Sequence, residues 1–329
     1  MLILPGLKEL QRECETLKSK HYAETTKPTR ESQVKKYMEF CDEFAGIIKP
    51  FPCDSAQVCL YVAYMARKLQ YVSIINYLSG LNDFLKQNSQ KPIDYEDYNV
   101  KCCVKGTRRT LGDASKQAAP LLPAMLCCMM GHLYDTVGHV CFRAAILTSF
   151  RGLLRKAHVT KSTATLRRGD FTFYGWGMII KVSKSKTIQY AERAVEIPVA
   201  RLPKQELCAV YWTERHFEEV QAAPNQEAYR MLEPGKGSVP LKYSVYQDTL
   251  KHLCGEIGLE PRLFSSHSLR RGGATFLYMA GASIAEIKRR GDWTSDCVYK
   301  YLTAPLKVRI KGDMRVATMF LQEAEDGDI

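Results

Sequence analysis

The 329-residue sequence contains no run of about 18 consecutive apolar residues, the length that a membrane-spanning helix needs. The short apolar run at its start follows no basic segment, which is a poor pattern for a secretory leader. Its twelve cysteines include no pair at the CxxC spacing of common structural zinc sites. We therefore expect an intracellular protein with no membrane anchor and no bound metal.

Acidic residues are in short supply. Lys and Arg number 47 against 35 Asp and Glu, which gives a net charge of +12. Residues 1–100 hold 13 of each sign, so the whole excess falls in residues 101–329. This distribution predicts a surface for an anionic partner, either nucleic acid or an acidic membrane face.

Periodic patterns divide the chain into two parts. Residues 30–90 contain three amphipathic segments with short connections, which predicts a small helical bundle within residues 1–104. Residues 105–118 combine glycines with basic residues and indicate an interdomain linker close to a polyanion, with an ordinary solvated loop as the equal alternative. Residues 119–329 mix helices with β-rich segments, so the predicted fold class is mainly α with a small β-sheet.

The last third of the chain carries helix start and stop signals. Ser265 or Ser266 is the predicted N-cap of one helix. A capping box begins a second helix at Ser283, and Gly291 is expected to stop it. A further short helix is predicted over about 295–302.

Several side chains suited to chemistry each have an ordinary interpretation when taken alone. His267 and Arg270 would share a helix face near its positive end, which suits a phosphate, but such pairs also arise by chance. Arg155 follows an apolar helix face, where an arginine is usually solvated or ion-paired. Lys186 lies at the tip of a predicted hairpin, where lysine is normally just exposed. Trp293 and a tyrosine beside an apolar helix are normally core residues.

Their order along the chain resembles the active site of the tyrosine recombinases, the phage-integrase superfamily. LLRKAHV (153–159) is similar to the first-arginine segment of Cre-like members, and SKSKT (183–187) to their hairpin-lysine segment. HSLRRGGATFL (267–277) is similar to their second-arginine box, and Trp293 follows Arg270 at the same interval of 23 residues. The resemblance covers about residues 30–325, with specific motifs from 153 onward.

The sequence departs from that pattern at two places. His158 stands where the family usually has a Glu or Asp that supports the first arginine. Trp293 and Tyr301 are 8 residues apart, one fewer than in Cre-like enzymes. The short spacing, together with GGATFL, resembles recombinases of eukaryotic mobile elements of the crypton, DIRS and Ngaro types.

The resemblance implies an N-terminal, SAM-like core-binding bundle and an α+β catalytic domain that ends in a docking helix at about 314–324. It implies a site-specific recombinase that cleaves and rejoins duplex DNA through a 3′-phosphotyrosine, for integration or excision of a mobile element. No cofactor and no metal are required. The expected partners are double-stranded DNA and further copies of the chain, a dimer on one site and a tetramer on two. In a eukaryotic host the location would be the nucleus.

The resemblance also assigns roles to residues. Tyr301 would be the nucleophile, Lys186 would protonate the leaving oxygen, and His267 would exchange a proton with the tyrosine. Trp293 would lie near the scissile phosphate, which the two arginines at 155 and 270 would hold. Tyr299 is the alternative nucleophile, because residues two apart on a helix point roughly 200° apart and only one can face the site.

Basic and polar residues next to the catalytic segment are the expected DNA contacts. These are Lys105, Arg108, Arg109, Lys116 and Gln117. Two other functions stay open. One is a catalytically silent, domesticated DNA-binding regulator, which only His158 supports. The other is a type IB topoisomerase, which shares the residues but acts as a monomer without site preference.

Overall fold

The structure, a computed structural model, describes residues 6–23, 26–113, 117–185, 187–188, 193–302, 310, 313–314 and 316–318. These residues are mainly helical with short antiparallel strands, as the sequence predicted. The chain divides into two compact units, Met1–Lys116 and Gln117–Ile329. Within the described part of the chain, no helix is both long and apolar enough to cross a membrane.

The first unit is a helical bundle. Its helices are α1 (Leu7–Ser19), α2 (Lys27–Glu43), α3 (Ser55–Ala66), α4 (Tyr71–Gln87) and α5 (Tyr98–Leu111). The three amphipathic segments predicted over 30–90 are α2, α3 and α4. Tyr37, Tyr61 and Leu78 are fully buried between them, so these parts of the aromatic and apolar stripes form the core.

The predicted linker at 105–118 is wrong over its first half, because residues 105–111 are the last turns of α5. Asp97 caps this helix by accepting hydrogen bonds from the backbone N–H groups of Asn99 and Val100. Val100 is buried in the bundle core, and that burial stabilises the helix despite its internal glycine. The helix ends at Gly112, which has a φ of +68°.

The second unit combines helices with two small sheets. The helices are α6 (Pro123–Gly131), α7 (Val137–Arg151), α8 (Lys156–Val159), α9 (Ala209–Glu219), α10 (Tyr243–Glu256), α11 (Ser266–Met279) and α12 (Ile284–Gly291). The strands are β1 (Phe171–Tyr174), β2 (Gly177–Val182), β3 (Val195–Ala200), β4 (Arg230–Glu233) and β5 (Gly237–Pro240). Strands β1, β2 and β3 pair antiparallel in that order, and β4 pairs with β5. The sequence had not predicted the β4–β5 hairpin.

Helix α7 is the central helix of this unit, with almost every residue from Val140 to Phe150 buried. Helix α11 packs against its end at unusually short range. A Cβ added to Gly273 would lie 2.2 Å from the backbone oxygen of Phe150, so only glycine allows this approach. The close contact places the first turns of α11 beside the residues that follow α7.

The segment after α11 follows the helix signals read from the sequence. The helix α12 ends at Gly291, as predicted, and Asp292 caps it in the left-handed conformation with a φ of +53°. Gly291 is required for a different reason, because a Cβ there would overlap the ring of Trp293. The short helix predicted over 295–302 is a 3₁₀ turn, Asp296–Lys300.

The docking helix predicted at about 314–324 lies largely outside the described residues. Within it, Met314 and residues 316–318 are helical, and Met314 and Val316 are exposed.

Candidate active site

The first turn of α11 and the end of the 3₁₀ turn bring His267 and Tyr301 together. Ser265 caps α11 and accepts a hydrogen bond from the backbone N–H of His267, so the sequence-predicted cap is confirmed. Thr275 Oγ1 donates to the carbonyl of Tyr301 at 3.0 Å and ties that residue to the same helix. As a result, Tyr301 Oη lies 2.8 Å from His267 Nε2.

The same geometry separates the two candidate tyrosines. Tyr299 is 57% exposed, whereas Tyr301 contacts His267 and lies with its ring centroid 4.9 Å from that of Trp293. Of the two hydroxyls, the one on Tyr301 therefore stands where the imidazole can exchange a proton with it.

The imidazole of His267 lies in a positive environment. Desolvation lowers its pKa below the ordinary value, and neighbouring positive charges lower it further. Those charges belong to Arg270, Arg155, Lys156 and Arg271. A neutral imidazole at pH 7 can accept a proton from the tyrosine hydroxyl.

Arg270 is buried beneath these two residues, at 2% exposure. Its guanidinium donates to the backbone oxygens of Leu153 and Gly291, and its Cζ lies 3.9 Å from the centroid of the Trp293 ring. Burial, and then the charge of Arg155, lower its pKa to about 9, so the group keeps its charge at pH 7. The arginine is thus fixed by two carbonyls and one aromatic face.

Leu153 has a φ of +52°, a rare conformation for a bulky residue. In this conformation the carbonyl of Leu153 accepts a hydrogen bond from Arg270, and it is one of the two carbonyls that hold the guanidinium.

Trp293 is 7% exposed and packs against Arg270 and Tyr301. The resemblance implies a place for it beside the scissile phosphate. In the structure its contacts are with the residues that would hold and attack that phosphate.

Arg155 approaches the same place from the N-terminus of α8. Its Nη2 lies 3.3 Å from the carbonyl oxygen of Asp292, and its Nη1 lies 3.6 Å from the Asp292 carboxylate. Asp292 follows α12 directly in the RGDW segment, where no sequence motif marks it as a site residue.

The Asp292 carboxylate has further partners. Ser185 Oγ donates to it at 2.8 Å, Thr187 Oγ1 also donates, and Arg193 pairs with it at 2.6 Å. Burial acts to raise the pKa of this carboxyl, but the hydrogen bonds from Thr187 and Ser185 and the pairing with Arg193 outweigh it. The pKa therefore lies below its ordinary value, and the group is ionised at neutral pH. Arg193 is a second site residue that the sequence analysis missed.

Lys186, the predicted hairpin lysine, lies outside the described residues. Its chain neighbours Ser185 and Thr187 are described, and Ser185 and Ile188 form an isolated antiparallel bridge after β2. Both hydroxyl groups that flank the lysine in sequence therefore bond to Asp292.

His158 stands where the family pattern has an acid, and it is 3% exposed. The backbone of Lys184 lies close enough to the ring to hydrogen-bond with it, which acts to raise the pKa of His158. Burial, followed by the charges of Arg155 and Arg270, lowers its pKa to about 3, so the ring is neutral. The carboxylate beside Arg155 comes from Asp292 instead.

The expected DNA contacts are placed as follows. Lys105 and Arg109 are exposed on α5, where Arg108 pairs with Asp113. Gln117, in the second unit, accepts a hydrogen bond from Arg271. Lys116 lies outside the described residues.

Comparison with known proteins finds a relative of similar length. An integrase/recombinase described as a xerD homolog, from Selenomonas ruminantium, is 25% identical over 260 residues. The alignment covers 69% of this chain and 72% of that protein. No family model matches the sequence.

Solved structures with the same fold include three recombinases in complex with DNA. The Tn1549 transposon integrase, bound to transposon right end DNA, superposes with a TM-score of 0.63 at 16% identity, over 92% of this chain and 98% of that one. The XerH site-specific recombinase, bound to its difH substrate, gives 0.58 at 12% identity, over 89% and 78%. A lambda integrase dimer bound to a core site gives 0.57 at 15% identity, over 89% and 76%.

Proposed function

We propose that this chain, a member of the tyrosine recombinase and integrase family, cleaves and rejoins duplex DNA at a specific site through a 3′-phosphotyrosine. The observation that carries the proposal is the contact of 2.8 Å between Tyr301 Oη and His267 Nε2, directly above the buried guanidinium of Arg270. A nucleophile, a base and a fixed positive charge then stand within reach of one phosphate.

In the proposed reaction, Tyr301 Oη attacks the scissile phosphorus while His267 takes the hydroxyl proton. A bond forms between the tyrosine oxygen and phosphorus, and the bond to the 5′ oxygen breaks. Following the family pattern, Lys186 gives that leaving oxygen its proton. Arg155 and Arg270 offset the charge that develops on the non-bridging oxygens. Attack by a 5′ hydroxyl on the phosphotyrosine reverses the steps and rejoins the strand.

The proposed substrate is double-stranded DNA that carries a recombination site, with a dimer on one site and a tetramer on two. All three solved neighbours named above are bound to DNA, and one is a transposon integrase. Together with the short interval between Trp293 and Tyr301, this supports a mobile-element enzyme of crypton-like type, acting in the nucleus if its host is eukaryotic.

A covalent-adduct assay tests the proposal. Duplexes built from the DNA that flanks the gene are nicked near each candidate cleavage position, so that a short fragment diffuses away and traps the intermediate. We expect an adduct that survives denaturation with the wild type and with Tyr299→Phe, and none with Tyr301→Phe. Absence of any wild-type adduct, or an adduct with Tyr301→Phe, would contradict the proposal.

The two alternative functions predict different results. A type IB topoisomerase would relax any supercoiled plasmid as a monomer, whereas we expect no relaxation of plasmids that lack the site. A silent DNA-binding regulator would bind the site without forming an adduct. The regulator alternative was supported only by the histidine at position 158, where the family usually has an acid. Asp292 places a carboxylate beside Arg155.

A further inference from the structure

Asp292 occupies an unusual position for a surface-loop acid. It follows α12 in the left-handed conformation, and it is 6% exposed. Asp is among the few side chains other than glycine that tolerate this backbone region. The conformation turns both the carbonyl and the carboxylate of Asp292 toward Arg155, a residue 137 positions earlier in the chain.

The Asp292 carboxylate interacts with two guanidinium groups and two hydroxyl groups. Arg155 and Arg193 both pair with it, and Ser185 and Thr187 donate hydrogen bonds to it. A buried carboxylate retains its charge only when it is compensated in this way. Asp292 therefore joins three separate parts of the second unit, which are the start of α8, the residues after β2 and the residues just before β3.

The positive charges nearby explain why the carboxylate is needed. The charge of Arg155 lowers the pKa of Arg270, and both arginines lower the pKa of His267, so the charges lie close together. Arg193 adds a third guanidinium beside Asp292. Without Asp292, Arg155 and Arg193 would lose the counter-charge that they share, and Arg155 would be repelled by the fixed guanidinium of Arg270. An arginine displaced by about 1 Å costs a phosphoryl-transfer site about 100-fold in rate.

We infer that Asp292 is a positioning residue, whose carboxylate fixes Arg155 for the phosphate and ties it to Ser185 and Thr187. It thereby replaces the Glu or Asp that the family pattern has at position 158, where this chain has histidine. This inference rests on the proposed function, because its readout is the rate of strand cleavage.

The principal variant is Asp292→Asn, which keeps the size, the left-handed preference and one acceptor oxygen, and removes the charge. We expect the single-turnover rate of adduct formation to fall about 100-fold, while the affinity for the same duplex changes less than about threefold. Asp296→Asn is the matched control, since Asp296 is 85% exposed and pairs only with Lys288 among the contacts described. It should leave rate and affinity unchanged.

A second-site change separates positioning from general stability. His158→Glu restores an acid three residues after Arg155, and in the Asp292→Asn background it should recover at least about 10-fold of the lost rate. A protein that had merely lost stability would gain nothing from a further charge buried in place of a neutral ring. Thermal unfolding of each variant verifies that the fold is intact.

A third variant keeps the inference testable if Asp292→Asn does not fold. The double change Ser185→Ala and Thr187→Ala removes both hydroxyl donors and keeps the carboxylate beside Arg155. It should lower the cleavage rate by about 10-fold with unchanged affinity, because a misplaced group costs rate rather than binding.

The outcomes distinguish a failure of the proposed function from a failure of the role inferred for Asp292. No adduct with the wild type overturns the proposed function itself. A wild-type adduct with an unchanged rate in Asp292→Asn overturns the role of Asp292 alone. The role of Asp292 is also overturned if the double variant, Asp292→Asn with His158→Glu, cleaves no faster than Asp292→Asn alone.

Discussion

The hydroxyl of Tyr301 lies 2.8 Å from Nε2 of His267, although 34 residues separate them in the chain. The contact exists because α11 carries both the histidine in its first turn and Thr275, which holds the tyrosine backbone. The proposed nucleophile is thus held within hydrogen-bond distance of its proposed base. Arg270, on the same helix, lies beneath the pair.

The lowered pKa of His267 predicts the pH dependence of cleavage. In the proposed reaction the neutral imidazole is the base, so the rate should be level near pH 7 and fall only as the pH drops through a pKa below 6.5. His267→Ala should slow single-turnover adduct formation by about 10²–10⁴-fold and abolish that acidic limb. The measurement is the adduct rate from pH 5 to 8.

His252→Ala is the control for this experiment, because His252 is 71% exposed on α10 and pairs with Glu256. It should retain the wild-type rate and profile. An acidic limb centred at or above pH 6.5, or one that persists in His267→Ala, would argue against His267 as the base.

Gly273→Ala tests the close packing of α11 on α7. The new Cβ would meet the backbone oxygen of Phe150, which cannot move aside as a side chain can. We expect the free energy of unfolding of the second unit to fall by about 1–3 kcal/mol, measured by thermal or denaturant unfolding. Gly138→Ala in α7, whose nearest neighbour would be a methionine methyl group at 3.5 Å, should be neutral or slightly stabilising. Equal stability of the two variants would contradict the packing described.

The exposed basic face of α5 predicts a salt-dependent contribution to DNA binding. Lys105 and Arg109 lie four residues apart, so they share a helix face. Each phosphate contact adds about −0.9 to the slope of log Kobs against log salt, so Lys105→Ala with Arg109→Ala should reduce its magnitude by about 2. Lys91→Ala, an exposed lysine in the α4–α5 loop, should leave the slope unchanged. An unchanged slope in the double variant would remove this face from the DNA contacts.

Five of the residues that the proposed chemistry uses could be singled out from the sequence, whereas the residues that support them could not. Arg155, His267, Arg270, Trp293 and Tyr301 follow a recognisable order, and the structure brings all five together. Asp292 and Arg193 were missed because their importance arises from contacts between distant segments. No local pattern indicates that a left-handed residue after α12 will turn its carboxylate toward a turn 107 residues earlier.

The error over α5 has a different origin. Its glycine and basic residues are typical of a linker, and they obscure the apolar stripe of the helix. Val100, Cys103 and Val104 recur at helical spacing and pack on the bundle core, so the signal was present. Burial of that stripe decides the local structure, because helix propensity alone is a weak determinant.

Identification of the residue that carries the DNA is the most direct test of the central claim. Trypsin cleavage after Lys300 separates the two tyrosines, with Tyr299 on peptide 291–300 and Tyr301 on peptide 301–307. The trapped adduct, digested with nuclease and trypsin, should carry its nucleotide on the 301–307 peptide, and the released strand should have a free 5′ hydroxyl. A nucleotide on peptide 291–300 or elsewhere, or a tyrosine joined to the 5′ end of the DNA, would contradict the account.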